Sequence, residues 1–288
     1  MTEARLNFRT TLLRRQAEHL PVPPPLPQLF RTVRYDSPAG KLAAYLSQPP
    51  KDGQRHPAIV WVVGGWGNGI GGTPWEDASP DNDQSASAFW KAGIVTMYPS
   101  FRGGNDNPGY NENFYGEVDD VLAAADYLAR QDFVDPNRIY LGGHSTGGTL
   151  TLLVAESSSR FRAVFSFGPR ADVRDYEDEY LVFDTKNPKE FDLRAPYLWL
   201  NSIHNPTFVF EGTSDPSNAG ALRFMRRDST NPKVQFYPVP GFDHFSILAP
   251  ATRLLVAKIL ADNGPVTNIT FTDAELVRLN FRRGTDPR

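Results

Sequence analysis

The chain predicts an α/β fold, a mostly parallel sheet with helices on both faces. Three observations carry this. From about residue 58 onward, short apolar runs of strand type alternate with helical stretches, the pattern of parallel strands joined by crossover helices. The two short strands that open the domain supply an antiparallel edge to such a sheet. The chain of 288 residues is 40% hydrophobic and 12% aromatic, enough to bury one large core.

In chain order, "MTEARLNFRTTLLRRQAEHL" predicts a helix lying on the surface. It ends at "PVPPPLP" (21–27), where five prolines force an extended linker. Residues 1–27 are thus expected as an appendage and 28–288 as a single domain. "TVRYDSPAGKLAAYLSQP" reads as two short strands around the turn "SPAG", an antiparallel edge. "AIVWVVG" (58–64) is followed by a helix near 84–92, and "GIVTMYP" (93–99) by one near 115–130. "RIYLGG" (138–143) leads into a helix from about 146, and "AVFSFGP" (163–169) into a polar, helical excursion. "TFVFEG" (207–212) precedes a helix near 218–227, and "VQFYPV" (234–239) one near 247–261. That makes eight strands. "TDAELVRL" carries a capping-box pattern, Thr272 to Glu275, predicting a short closing helix.

Composition excludes several classes. A net charge of −3 without a basic block excludes nucleic acid and anionic membrane as expected partners. With no cysteine, disulfides, thiolate nucleophiles and cysteine-ligated metals are excluded. The first residues lack an apolar signal region, and Glu3 and Glu18 argue against a transit peptide. No run reaches the roughly 18 apolar residues of a membrane span, so a cytoplasmic location is the default expectation. Nothing in the pattern specifies an oligomeric state.

The stretch Gly64–Gly72 holds six glycines, and Gly67, Gly69 and Gly72 satisfy G-x-G-x-x-G. Such a loop after a strand either cradles a pyrophosphate or brings backbone N–H groups to a developing oxyanion. A dinucleotide site needs a helix to begin at the glycines. Here "TPWEDASPDNDQ" follows, with prolines and no apolar period, so the oxyanion reading is preferred and no cofactor is expected.

After the strand "RIYLGG", Gly143-His144-Ser145-Thr146-Gly147 is G-x-S-x-G, and "GGTLTLLVA" begins a helix of small residues. A sharp strand-to-helix turn exposes the serine Oγ at the carboxyl edge of the sheet. Small residues two positions either side let the backbones pass closely. The N–H of Thr146 then points at the same spot from a helix N-terminus.

"VDPNRIYLGGHSTGG", "YPSFRGG", "FEGTSDP" and "GFDHF" together resemble the α/β-hydrolase superfamily, in particular the prolyl oligopeptidase and dienelactone-hydrolase-like branch. The resemblance covers about residues 31–261. It implies an α/β-hydrolase fold of eight strands with at most a small cap, and a triad in the order serine, acid, histidine. His244 stands in the loop where this superfamily keeps its base, whereas His204 precedes the strand that delivers the acid. His144, beside the serine, is read as packing. Asp215 matches the aspartate of the G-T-x-D pattern; Glu211, at the end of the strand, is the alternative acid, and Asp243 is poorly placed. The "VVGGW" segment takes the place of an H-G-G-type oxyanion strand, with Val63 replacing the histidine. The second oxyanion donor beside Thr146 is then the N–H of Gly65 or Trp66.

Around this centre, Arg102 in "YPSFRGG" either grips a substrate carboxylate or buttresses loops. Trp66, Trp75, Tyr98, Phe101, Tyr110 and Phe114 fall in segments expected near the catalytic edge, where Trp66, Tyr110 and Phe114 are candidates to line a substrate pocket. "DASPDNDQS" lacks the glycine and terminal glutamate of a calcium loop, so no metal site is expected. "NIT" at 268 is discounted as a glycosylation site. The expected activity is that of a serine hydrolase, a carboxylesterase on small soluble esters. A peptidase without a propeller domain and a non-catalytic binding protein on the same fold are the alternatives.

Overall fold

A computed structural model describes residues 1–282. The sheet is built from β1 (Phe30–Ser37), β2 (Gly40–Ser47), β3 (His56–Val62), β4 (Val95–Pro99), β5 (Val134–His144), β6 (Val164–Phe167), β7 (Thr207–Gly212) and β8 (Val234–Val239). Their spatial order is β1-β2-β4-β3-β5-β6-β7-β8. β2 pairs antiparallel with both β1 and β4. The remaining pairs are parallel. The eight strands and the antiparallel edge hairpin agree with the sequence pattern.

Side-chain alternation divides the core between the two faces. Ala58, Val60 and Val62 of β3 point to the layer of α3 (Glu117–Ala129), α4 (Thr146–Ser157) and α6 (Ala219–Asp228). Ile59 and Trp61 point to the layer of α2 (Ala88–Lys91), α7 (Leu248–Ala261) and α8 (Asp273–Arg282). The second face is notably aromatic, with Phe167 stacked on Phe210 at 5.1 Å and Phe210 against Phe271 at 5.0 Å. Each such ring, once buried, contributes about 1.5–3 kcal/mol. At α8 the capping box forms as expected: Thr272 N–H donates to Glu275 Oε2, and Glu275 N–H to Thr272 Oγ1.

Three segments differ from the sequence reading. The N-terminal helix is only α1 (Thr2–Leu6), and the chain then runs as an irregular strap to Phe30. Tertiary partners override helix propensity there. Thr11 N–H and the Thr10 hydroxyl donate to the buried Glu190 carboxylate, Leu12 bridges Phe183, and Arg14 donates to the carbonyl oxygen of Glu179. The expected helix over 84–92 contracts to α2, because Asp83 and Ser85 turn the chain with side-chain bonds to Ser85 N–H and Ser87 N–H. The excursion after β6, expected to be helical, is mostly irregular, with short 3₁₀ turns and the single-turn α5 (Pro188–Asp192).

Candidate active site

β5 ends at His144 and α4 begins at Thr146, so Ser145 alone makes the turn, at φ 57° and ψ −118°. A non-glycine residue at positive φ is strained, and the neighbours fix it there. Ser145 N–H donates to the Phe167 carbonyl, 2.8 Å, and Thr149 N–H to the Ser145 carbonyl, 2.9 Å. The small residues of the motif are required by close approach. A Cβ on Gly143 would lie 2.6 Å from the Gly147 carbonyl oxygen, and one on Gly147 only 2.2 Å from that of Val62. Ser145 is half-buried at the carboxyl edge of the sheet.

His244 is buried in the loop between β8 and α7, its N–H bonded to the Pro216 carbonyl at 2.8 Å. Its Nδ1 lies 3.1 Å from Glu211 Oε1 and 3.3 Å from Oε2. With the Glu211 carboxylate as acceptor, the proton of this contact sits on Nδ1. Glu211 is fully buried near the end of β7 and also accepts the Asn218 N–H at 2.7 Å.

Asp215, expected from the sequence to be the acid, is exposed in the loop beyond β7. The reason is local: β7 runs through Gly212, and "TSDP" then turns outward, so the carboxylate at the histidine comes from the strand itself. The signal for Glu211 was present as the one charged residue in a strand whose six residues are all buried.

The side where an oxyanion site was expected is also more specific than the sequence indicated. Thr146 Oγ1 accepts from Gly65 N–H at 2.8 Å and donates to Gly65 O at 2.6 Å. That reciprocal tie locks the glycine loop to the elbow and occupies the Gly65 N–H. The Trp66 N–H has no acceptor among the described residues, and Thr146, first in its helix, has no intrahelical acceptor for its own. Trp66 and Thr146 line the same small cavity.

The loop Gly64–Gly72 opens no helix. It is pinned instead: Gly69 N–H donates to Glu18 Oε1 at 3.0 Å, Phe101 N–H to the Asn68 carbonyl at 2.8 Å, and Asn68 Nδ2 to the Arg102 carbonyl at 2.8 Å. A carboxylate therefore sits on the glycines where a pyrophosphate would need to lie.

Arg102 does not reach for a substrate. It pairs with both carboxylate oxygens of Asp120, at 2.9 Å each, and with Glu112 at 2.8 Å. Burial opposes its charge, but Asp120 more than offsets this and holds its pKa above the ordinary value. It is a buttress.

The aromatic residues separate into different sites. Trp66 joins Phe114, 6.4 Å away, and meets two residues the sequence did not single out. Tyr180 stacks on it at 4.5 Å with planes 2° apart, and Tyr176 meets it edge-on at 4.6 Å. Both tyrosines come from the irregular excursion, which has no periodicity to expose their role. Tyr110 is exposed under the Arg15 guanidinium, 5.5 Å away, while Trp75 packs on Tyr45 at 4.8 Å and Tyr98 is core. A cavity of about 30 Å³ is lined by Trp66, Phe114, Thr146 and Glu117 among others. Among the described residues, no group of histidine and acidic side chains is placed to hold a metal ion. No helix among them is long and apolar enough to cross a membrane.

An elbow serine at the carboxyl edge of this sheet, with a buried histidine–carboxylate pair beside it, defines an α/β-hydrolase-fold protein. Residues 80–259 match the model of the prolyl oligopeptidase family. The chain belongs to that family of serine hydrolases. It is 29% identical over 140 residues to an uncharacterized peptidase, YtmA, of Bacillus subtilis (strain 168), a match covering 44% of this chain and 54% of that one. The match thus spans about half of that relative. Among solved structures, the acylaminoacyl peptidase of Pyrococcus horikoshii superposes with a TM-score of 0.67 at 15% identity, over 86% of this chain and 44% of that one. An esterase of Pyrobaculum calidifontis superposes with a TM-score of 0.58 at 17% identity, over 81% and 85%. These superpositions bear on the fold.

Proposed function

We propose that the protein is a carboxylesterase on small esters, working through Ser145, His244 and Glu211. Glu211 holds the His244 tautomer through Nδ1–H and stabilises the imidazolium. His244 Nε2 takes the Ser145 proton as Oγ attacks the ester carbonyl carbon. The N–H groups of Thr146 and Trp66 receive the charge that develops on the carbonyl oxygen. Collapse of the tetrahedral intermediate breaks the bond to the alcohol, which leaves with the proton from His244. Water repeats the sequence on the acyl-enzyme.

The observation that carries the reading is the buried Glu211–His244 pair beside a serine on a strained turn. A carboxylate taken fully out of water is costly unless it is paired, and this one is paired with the imidazole that packs 4.5 Å from the ring of His144, the residue before Ser145. The cavity beside Trp66 and Thr146 has room for about one water molecule, which favours a short acyl group over a long chain. The second reading, a peptidase with the same triad, is favoured by the peptidase relative in Bacillus subtilis.

A fluorophosphonate should label Ser145, and Ser145→Ala should abolish both labelling and turnover, by at least ~10³-fold, with the fold intact. Failure to label would leave a non-catalytic binding protein. Given labelling, p-nitrophenyl acetate or butyrate should be cleaved faster than long-chain esters or peptide anilides at matched concentration. The reverse order would make the protein a peptidase.

A further inference from the structure

His144 lies between the loop after β8 and the start of the glycine loop. It is the last residue of β5, directly before Ser145, and it is fully buried. Its Nε2 is 3.0 Å from the main-chain carbonyl oxygen of His244. A carbonyl only accepts, so Nε2 carries the proton and Nδ1 is the bare nitrogen. Nδ1 has no hydrogen-bond partner in its buried position. The ring packs at 4.5 Å from the His244 ring, tilted by 41°, and at 5.6 Å from Phe245. On the opposite side stands the glycine loop: a Cβ on Gly64 would fall 3.4 Å from His144 Nδ1 and 3.1 Å from Ser145 Cβ.

A histidine that merely filled space would not need a buried nitrogen left bare. An apolar ring would pack there without that cost. What the imidazole adds is one directed bond, and it reaches the backbone of His244, the base in the triad reading. The other ties on that residue are the His244 N–H to the Pro216 carbonyl and Nδ1 to Glu211. Those two hold the His244 loop to β7 and its following turn. The bond from His144 holds it to the elbow.

We propose that His144 is a positioning residue: through the bond from Nε2–H to the His244 carbonyl it fixes the distance and tilt of the His244 imidazole relative to Ser145. This rests on the triad reading above. Burial, and then the neighbouring His244, depress the His144 pKa to about 3, so the ring stays neutral when His244 becomes imidazolium and adds no opposing charge.

The test compares His144→Phe, which keeps a ring and loses the donor, with His144→Gln, which restores an N–H donor at similar reach. Full-length protein is assayed with p-nitrophenyl acetate and with a fluorophosphonate. His144→Phe should lower kcat and the rate of Ser145 labelling by on the order of 10²-fold, with KM within about twofold of wild type. His144→Gln should recover most of that loss. Nitrogen-15 NMR of the wild-type histidines reads the same bond without turnover: one imidazole should show a fixed Nε2–H tautomer and stay neutral through pH 5, and its signal should be absent from both variants. A His144→Phe protein with wild-type kcat overturns the proposal, and so does a Gln variant that is no better than Phe. A wild-type histidine set that all titrates above pH 5 does likewise, even if the Phe variant fails to fold. If instead the wild-type protein neither labels nor turns over, the esterase reading fails, while the NMR result still decides whether the His144 bond exists.

Discussion

Glu211 Oε1 and His244 Nδ1 are 3.1 Å apart across a gap of 33 residues in sequence, joining the end of β7 to the loop after β8. Parallel pairing of β7 with β8 sets this contact, since it aligns Gly212 with Val239 and brings the two strand ends to one edge.

The first expectation follows directly. Glu211→Gln replaces the carboxylate with an amide that can turn an N–H toward Nδ1, so it no longer enforces the Nδ1–H tautomer and should lower kcat/KM by about 10³-fold or more. Asp215→Asn, in an exposed loop, should stay within a few-fold of wild type. Steady-state kinetics on the two variants decides; the opposite ranking would return the acid to Asp215.

How much of this was legible depended on the range of the cause. The strands read correctly because those buried on both faces carry apolar runs, such as residues 58–62 of β3 and 208–210 of β7. The elbow read correctly because its requirements, small residues around Ser145, lie within five positions. Which carboxylate meets His244 was not legible, because the choice between Glu211 and Asp215 turns on how far β7 extends, and strand ends have no strong local signature. The N-terminal segment has helix-forming residues, yet its structure is dictated by Glu190, Phe183 and the glycine loop, all far away in sequence. Tyr176 and Tyr180 lie in an excursion with neither helical nor strand period, so nothing local marked them as neighbours of Trp66.

The strap makes its own expectation. Glu18 accepts Gly69 N–H at 3.0 Å and Asn105 N–H at 2.8 Å, linking the glycine loop to the loop after β4. Glu18→Ala frees both donors. Amide exchange across 64–72 should rise, and kcat should fall by about fivefold, since the loop that carries the Trp66 N–H loses one anchor and retains those from Asn68 and Thr146. Unchanged exchange would mean that Asn68 and Thr146 fix the loop alone.

Buried neutral His144 also links stability to acid. Its folded pKa, about 3, is below the ordinary value of 6.5. Between those values the unfolded chain binds a proton that the folded one refuses, so stability falls as pH drops through 6.5 and the loss ends near 3. From pH 7 to pH 5 this one group should cost about 2 kcal/mol. Urea unfolding of wild type and His144→Phe at both pH values isolates it: wild type should lose about that much more than the variant. Parallel losses would show that His144 accepts a proton in the fold.

Gly168 gives the strictest geometric expectation. It follows β6 at φ 58°, and a Cβ there would lie 2.4 Å from His244 Cε1, 2.5 Å from Nδ1 and 2.6 Å from Glu211 Oε2. The backbone cannot retreat, because Gly168 N–H donates to the Phe210 carbonyl at 2.8 Å and its own carbonyl accepts from Asn218 Nδ2 at 2.8 Å. In Gly168→Ala the added methyl must therefore push the imidazole from the carboxylate, or the left-handed backbone must yield. Either way the reacting atoms are misplaced by about an ångström, which costs on the order of 10²-fold in kcat. The sheet and both helical layers are untouched, so the far-ultraviolet circular dichroism should not change. A Gly168→Ala enzyme with wild-type kcat would mean that the His244–Glu211 pair does not work from the position it holds here.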